Sequence, residues 1–309
     1  MELNPLISSL VKPLHPRGDL SICRVADLDA YAAYAGEMRR EIERRMGIEH
    51  ALIQERSSFL VDGLCHVCQR TVSFLVDFAY SYEVDGILTP NWRERLVCPR
   101  CNLNNRMRAA IHVLEQECLV PSTASIYITE RTTALYRAIS LRYPNTIGSE
   151  FLGDSVGLGG TNSQGIRNED LTRLTFPDDA FDAVLSFDVL EHVPDFGAGL
   201  AQCLRCLKPG GTLLFSVPFR FDLEHNVVRA RVESNGTVKH CLPPEYHGDP
   251  LCDKGILCYH DFGWELFDKL RSVGFEEATA LLYWSLTYGY LGGNQYLFVA
   301  KKPSTRKTG

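Results

Sequence analysis

Four cysteines stand in two pairs whose spacing suits metal binding. "LCHVCQ" supplies Cys65 and Cys68, and "VCPRCN" supplies Cys98 and Cys101. Each CxxC turn aims two thiolates at one point, and two such turns complete a tetrahedral sulfur shell for Zn2+. His66 lies between the first pair, but its neighbours already provide four ligands. A closed shell leaves no position for water, so this zinc is expected to be structural. Cys203 and Cys206 form a third CxxC, "CLRC", inside an amphipathic helical pattern, where cysteine behaves as a small apolar residue. They are read as core. With eleven cysteines and no export signal, thiols and metal ligands are expected rather than a disulfide framework.

These groups need elements to hold them, and the chain separates into regions by pattern. From Asp27 to about Leu60 the sequence is charged and helical in period, with Met38, Ile42 and Met46 in its apolar stripe. It suits an arm packed on the body or on a second copy in a homodimer, and its Tyr31 and Tyr34 are candidates for lining a substrate pocket. The cysteine-bearing module follows. From Ser125 onward short apolar runs alternate with helical patterns: "SIYITE" and a helix to Tyr143, "TIGSEFL", "FDAVLSF", "AGLAQCLRCL", "GTLLFSVPF" and finally "QYLFVAKK". That alternation predicts an α/β fold, a parallel sheet covered by helices on both faces. The expected boundaries are 1–60 for the arm, 61–120 for the zinc ribbon, 121–303 for the Rossmann-like domain and 304–309 for a frayed tail.

The stretch "NEDLTRLTFPDDAFDAVLSFDVLEHVPD", followed by "CLKPGGTLLFSVPF", resembles the core of class I S-adenosylmethionine-dependent methyltransferases. The resemblance covers roughly Ser125 to Lys301, and it implies a seven-stranded Rossmann-like sheet and S-adenosylmethionine as cofactor. It places Asp170 against the adenine amine and the segment from Leu171 to Phe176 along the purine edge. Ser186, Phe187 and Asp188 end the central strand, at the edge where open α/β sheets hold ligands. Glu150, at the end of the second strand, is suited to both ribose hydroxyls. "CHVCQRTVSFLVDF", "NWRERLVCPRCNLNNRMRA" and "HCLPPEYHGDP" are similar to a bacterial subset of these enzymes that carries a helical arm and a zinc ribbon.

The family's first motif is a strand, an acidic residue and a glycine-rich turn. Here the turn is Ile128-Thr129-Glu130-Arg131-Thr132, with no glycine. Glu130 stands where a carboxylate faces the methionine ammonium, and Thr129 or Thr132 is expected to cap the next helix and offer hydroxyl contacts. The loop "GDSVGLGGTNSQG" is expected to be a lid or linker. Candidate catalytic bases lie in turn-rich insertions: His247 and Tyr246 in "LPPEYHGDP", and His225 in "FDLEHN". Tyr283, Trp284, Tyr288 and Tyr290, at strand spacing, are expected to be core.

At 309 residues with a formal net charge of −6, the chain is not built to coat nucleic acid. No apolar run is long enough for a membrane span, and the N-terminus lacks a signal-peptide layout, so a cytoplasmic protein is expected. The expected activity is methyl transfer to a small biosynthetic molecule. A second reading makes S-adenosylmethionine itself the substrate, cyclised to an azetidine-2-carboxylate-type amino acid with release of methylthioadenosine. A third, of another class, makes the zinc ribbon a nucleic-acid-binding module on a degenerate scaffold.

Overall fold

A computed structural model describes residues 19–54, 57–84, 86–249 and 252–305. The expectations for the extreme N-terminus and for the last four residues of the tail lie outside these segments. In chain order the elements are β1 (Ser21–Val25), α1 (Leu28–Glu37), α2 (Arg39–Leu52), β2 (Ser58–Cys65), β3 (Arg70–Asp77), β4 (Tyr82–Val84), β5 (Ile87–Thr89) and α3 (Asn105–Gln116). The expected single helical stretch is therefore two helices. It ends at Leu52, and Ser58 to Leu60 open a strand whose inward residues are the apolar ones.

Next come β6 (Ile126–Ile128), α4 (Ala134–Arg142), β7 (Thr146–Glu150), β8 (Arg167–Asn168), β9 (Phe181–Phe187), α5 (Phe196–Cys206) and β10 (Leu207–Ser216). An insertion of short strands follows: β11 (Val227–Val228), β12 (Ala230–Val232), β13 (Val238–His240), β14 (Tyr246–Asp249), β15 (Cys252–Leu257) and β16 (His260–Asp261). The chain closes with α6 (Glu265–Val273), β17 (Glu277–Ser285) and β18 (Tyr290–Lys301). Among the described residues no helix is long and apolar enough to cross a membrane.

The chain forms two compact units. Of the described residues, the first comprises 19–24, 35–54, 57–84, 86–113 and 281–296, and the second 25–34, 114–249, 252–280 and 297–305. The main sheet runs β1-β17-β18-β10-β9-β6-β7-β8. Strands β10, β9, β6, β7 and β8 are parallel, and β18 is antiparallel to β10. The fold is mixed α/β and Rossmann-like, with eight strands where seven were expected. The additional edge strand is β1, five residues long, a length at which periodicity carries little signal.

In the second unit the chain moves outward from β6 through β7 to β8, then returns to β9 on the other side of β6. The carboxyl ends of β6 and β9 thus flank the topological switch point, where such sheets place ligands. Successive residues Ile126, Tyr127 and Ile128 of β6, and Ala183, Val184 and Leu185 of β9, are all buried. Burial without alternation means that both faces of these strands are covered. Cys203 and Cys206 are buried in α5, as core.

In the first unit β2 and β3 pair from Ser58↔Asp77 to Cys65↔Arg70. Phe59, Val61, Phe74 and Val76 face inward while Leu60 and Leu75 are exposed, the alternation of a sheet with one dry face. The aromatic run is core: Tyr283, Trp284, Tyr288 and Tyr290 are all buried. Arg108 of α3 is fully buried. Its Nη1 donates to the Tyr288 carbonyl at 2.6 Å, and its Nη2 donates to those of Leu96 and Gly289 at 3.1 and 3.0 Å. The guanidinium also lies 3.9 Å from the Phe74 ring centroid. Glu49 is a second buried charge, its Oε1 accepting from Trp284 Nε1 and the Gly292 amide, each at 2.8 Å.

Replacing Arg108 with methionine fills the volume but leaves three buried carbonyls without a donor. We expect Arg108→Met to lower unfolding free energy by about 3–5 kcal/mol, read from the urea midpoint. A midpoint within error of the parent would show that the guanidinium is dispensable to the first unit.

Candidate functional site

The two cysteine turns come together in the first unit. Cys65 Sγ lies 3.8 Å from Cys101 Sγ, Cys68 Sγ lies 3.9 Å from Cys98 Sγ, and all four sulfurs are within 4.8 Å of one another. Zn–S bonds of about 2.3 Å in a tetrahedron put sulfurs about 3.8 Å apart, so the donor set fits zinc. Each turn ends with a left-handed residue after its second cysteine, Gln69 at φ 52° and Asn102 at φ 57°. The thiols share charge unevenly. A hydrogen bond from Cys101 holds Cys65 down to about 5, while Cys68, chiefly through burial, is pushed up to about 11. His66 does not join the sulfur group; its ring stacks on His112 with centroids 3.7 Å apart.

In the second unit the turn after β6 shows how a glycine-free motif is built. Thr129 N donates to the Leu185 carbonyl at 3.0 Å, prolonging the pairing with β9, and Thr129 Oγ1 donates to Ser186 Oγ at 3.2 Å. Glu150 Oε1 then accepts from Arg131 N at 2.7 Å and from Thr132 N and Oγ1, each at 2.9 Å. The carboxylate at the end of β7 thus pins the turn. The helix cap is Thr133, whose Oγ1 accepts from Tyr136 N at 3.1 Å; neither Thr129 nor Thr132 caps, because their hydroxyls are engaged elsewhere.

The close approach that a turn glycine usually allows is made at Gly148 of β7. A Cβ there would lie 2.6 Å from the Glu130 carbonyl oxygen and 2.5 Å from Tyr136 Cε2.

Asp170 follows β8. Its Oδ1 accepts from Thr172 N at 2.9 Å and Oγ1 at 2.7 Å, and its Oδ2 accepts from Arg173 Nε at 3.1 Å. Burial acts to raise this carboxyl, but the bonds from Thr172 and Arg173 outweigh it and hold it below its ordinary range. Leu171 is buried beside it. Two residues just before Asp170 were missed from sequence. Glu169 is buried and accepts from Arg167 Nε and from Thr175 N and Oγ1. Asn168 is buried and bonds to Leu152 N and to the Gly153 and Val156 carbonyls. With backbone bonds from Gly159 and to Gly160, it ties the glycine-rich loop to β8, so the loop is an anchored linker. The polar run "RNED" was the available signal.

Ser186 and Phe187 are buried at the end of β9. Asp188 follows in a left-handed conformation, φ 53°, at a cost of about 1–2 kcal/mol for a residue with a Cβ. Its N donates to the Ser216 carbonyl at 2.9 Å and its Oδ1 accepts from Ser216 Oγ at 2.8 Å. Glu130, Glu150, Asp170 and Asp188 therefore stand at or just beyond the carboxyl ends of four adjacent parallel strands. This set of acceptors suits a ligand that is cationic and rich in hydroxyl and amine donors, as S-adenosylmethionine is.

Of the expected bases, His247 alone reaches a cluster of titratable groups. Tyr246 is largely exposed, and His225 lies in the loop before β11. His247, on β14, meets Glu191 and His192 from the single helical turn after β9 and Cys258 from the end of β15. Contact with the Cys258 thiol, then the nearby Glu191 carboxylate, raises the imidazole to about 10. Tyr31, in the same unit, stacks on Phe221 with centroids 4.6 Å apart. A cavity of about 570 Å³ is lined by Asp195, Asn226, His260, Glu265 and Lys269 among others, a volume in the small-molecule range.

A family described as a methyltransferase domain matches residues 152–215. A Mycolicibacterium smegmatis protein named a probable S-adenosylmethionine-dependent methyltransferase is 42% identical over 55 residues, 18% of this chain and 21% of its own. The demethylmenaquinone methyltransferase of Deinococcus radiodurans is 29% identical over 165 residues, 47% of this chain and 62% of its own. The chain thus spans less than two thirds of the length of these curated relatives. Among solved structures, an S-adenosylmethionine dependent methyltransferase from Mesorhizobium loti covers 63% of this chain and 100% of its own, at 16% identity and a TM-score of 0.38.

The Gly148 contact is directly testable. Gly148→Ala places a methyl group against a backbone oxygen and an aromatic ring, and we expect a loss of about 1–3 kcal/mol in unfolding free energy. A variant as stable as the parent would show that the turn after β6 shifts without cost.

Proposed function

We propose that the chain is an S-adenosylmethionine-dependent methyltransferase acting on a small molecule, with a structural zinc in the sulfur cluster. The observation that carries this reading is the methyltransferase-domain match over residues 152–215, which contains Asp170 just beyond β8 and Ser186, Phe187 and Asp188 at the end of β9. A cavity of about 570 Å³ in the same unit is of a size for a small-molecule acceptor.

Each residue then has a task. Glu130 faces the ammonium of the methionine end. Glu150 takes the ribose hydroxyls while its Oε1 keeps the Arg131–Thr132 turn in place. Asp170, held ionised by Thr172 and Arg173, accepts from the adenine amine, with Leu171 as the apolar wall. Thr129 and Ser186, bonded to one another, order the floor between β6 and β9. When bound, the cofactor supplies an electrophilic methyl on a sulfonium. The protein's contribution is in-line positioning and exclusion of water, for which preorganised turns matter more than any single base.

In the first unit, the expected zinc closes the β2–β3 hairpin at its Cys65–Cys68 end. Arg108 stands near enough to Cys65, Cys98 and Cys101 to offset their negative charge.

Calorimetry with S-adenosylmethionine tests the cofactor site. We expect Glu150→Ala and Asp170→Ala each to weaken binding about tenfold or more, about 1.4 kcal/mol; unchanged affinity in both would sink the cradle assignment. Mass spectrometry of the protein with S-adenosylmethionine alone should find the cofactor intact. Accumulating methylthioadenosine would instead make the cofactor the substrate. For the zinc, Cys101→Ser opens the shell, and we expect a lower thermal midpoint; an unshifted midpoint would remove the structural role.

A further inference from the structure

The cluster around His247 holds more donors than a proton relay requires. His192, His247 and Cys258 each place one ligating atom within 4.8 Å of the others. Beside them Glu191 is fully buried, and neither of its carboxylate oxygens accepts a hydrogen bond. Glu191 Oε1 lies 3.7 Å from His192 Nε2 and 3.6 Å from His247 Nδ1, too far for hydrogen bonds. A buried carboxylate left so is costly unless a further charge is meant to sit there.

The outer nitrogens of both imidazoles are already committed. His192 Nδ1 lies 2.9 Å from the Leu257 carbonyl, which only accepts, so Nδ1 carries the hydrogen. His247 Nε2 lies 3.4 Å from Glu245 Oε1, which fixes the other ring in the same way. His192 Nε2 and His247 Nδ1 lie on the Glu191 side, while Cys258 Sγ lies 3.9 Å from His192 Nδ1, so a turn of the His192 ring decides which of its nitrogens meets an ion. Metal-bound histidines are oriented by this pattern, an acceptor on the far nitrogen and a lone pair facing inward. Backbone bonds fix the frame: Tyr259 N donates to the Glu191 carbonyl at 2.7 Å and Cys258 N to that of Glu245 at 2.9 Å.

We propose that His192, His247 and Cys258 form a second zinc site, with Glu191 beside its fourth position. Two imidazoles and one thiolate suit a borderline-soft divalent ion, and against magnesium or calcium the absence of a full oxygen shell decides. The donors need only a small inward movement to reach the roughly 3.3–3.8 Å separations of a tetrahedral shell. His247, half-exposed on the β14–β15 hairpin, is placed to make it. The site differs from the four-cysteine cluster in kind. That shell is closed, whereas three protein ligands leave one position for water or for a hydroxyl or thiol of a small molecule, with Glu191 as its acceptor. It also joins the insertion between β10 and α6 to the turn after β9, which the sheet places at its ligand edge.

The test is metal content. The full-length protein is loaded with Zn2+, freed of loose ion by gel filtration, and measured by plasma mass spectrometry with circular dichroism on the same samples. We expect His247→Ala and Cys258→Ser each to bind one zinc equivalent fewer than the parent while keeping its dichroism spectrum. Contents equal to the parent's in both variants would overturn the site. Cys258 is buried, so if its variant unfolds, the half-exposed His247 decides alone. A Co2+-loaded parent should in addition lose absorption from imidazole–thiolate coordination in His247→Ala; an identical spectrum would count against the site. No S-adenosylmethionine is present, so the outcome is independent of the methyl-transfer reading.

Discussion

Burying a charged side chain is costly unless its surroundings supply partners, and each unit is organised by how it meets that demand. In the first unit the Arg108 guanidinium gathers three backbone carbonyls from two distant stretches of chain, and Glu49 gathers an indole and an amide. The carbonyls of Tyr288 and Gly289 belong to the turn between β17 and β18, so a single cation decides where that turn rests against α3. In the second unit buried Glu169 and half-buried Glu150 are met by amides and hydroxyls. Glu191 departs from the rule, with two buried oxygens and no hydrogen bond.

The turn after β6 shows how one constraint is met by another residue. A backbone that must lie close over its neighbour needs a position without a Cβ, and the usual place for it is the turn itself. Here the vacancy is on β7, at Gly148, and the carboxylate two residues later on the same strand ties the turn down. Thr129, Arg131 and Thr132 are then free to carry side chains, with the Arg131 guanidinium 4.4 Å from the Tyr136 ring. Strand β7 therefore supports this turn twice, by the room it leaves and by the bonds it accepts.

The insertion between β10 and α6 is built almost wholly from two-stranded pairs, β11 with β16, β12 with β13 and β14 with β15. Such ribbons have little core of their own and depend on anchoring. Their anchors run to the turn after β9, through the Leu257 carbonyl to His192 and through the Tyr259 amide to Glu191. The titratable cluster therefore lies at one of the insertion's anchors.

The sequence by itself determined what depends on neighbours along the chain. Two CxxC turns announce a four-sulfur cluster because three-residue spacing alone sets the aim of each thiolate pair. Alternating apolar runs announce an α/β sheet, and the motif resemblance, rather than periodicity, singles out Glu150, Asp170 and Asp188. Only the tertiary structure decided the rest. The short strand β1 is too brief for its period to show. Gly148 reads as an ordinary strand residue until Glu130 and Tyr136 are laid over it. His192 and Cys258 were not singled out, because they stand 66 residues apart and acquire meaning only when β15 docks beside the turn after β9. Local spacing is fixed by covalent geometry, whereas the meeting of distant donors is fixed by packing, which a single sequence does not display.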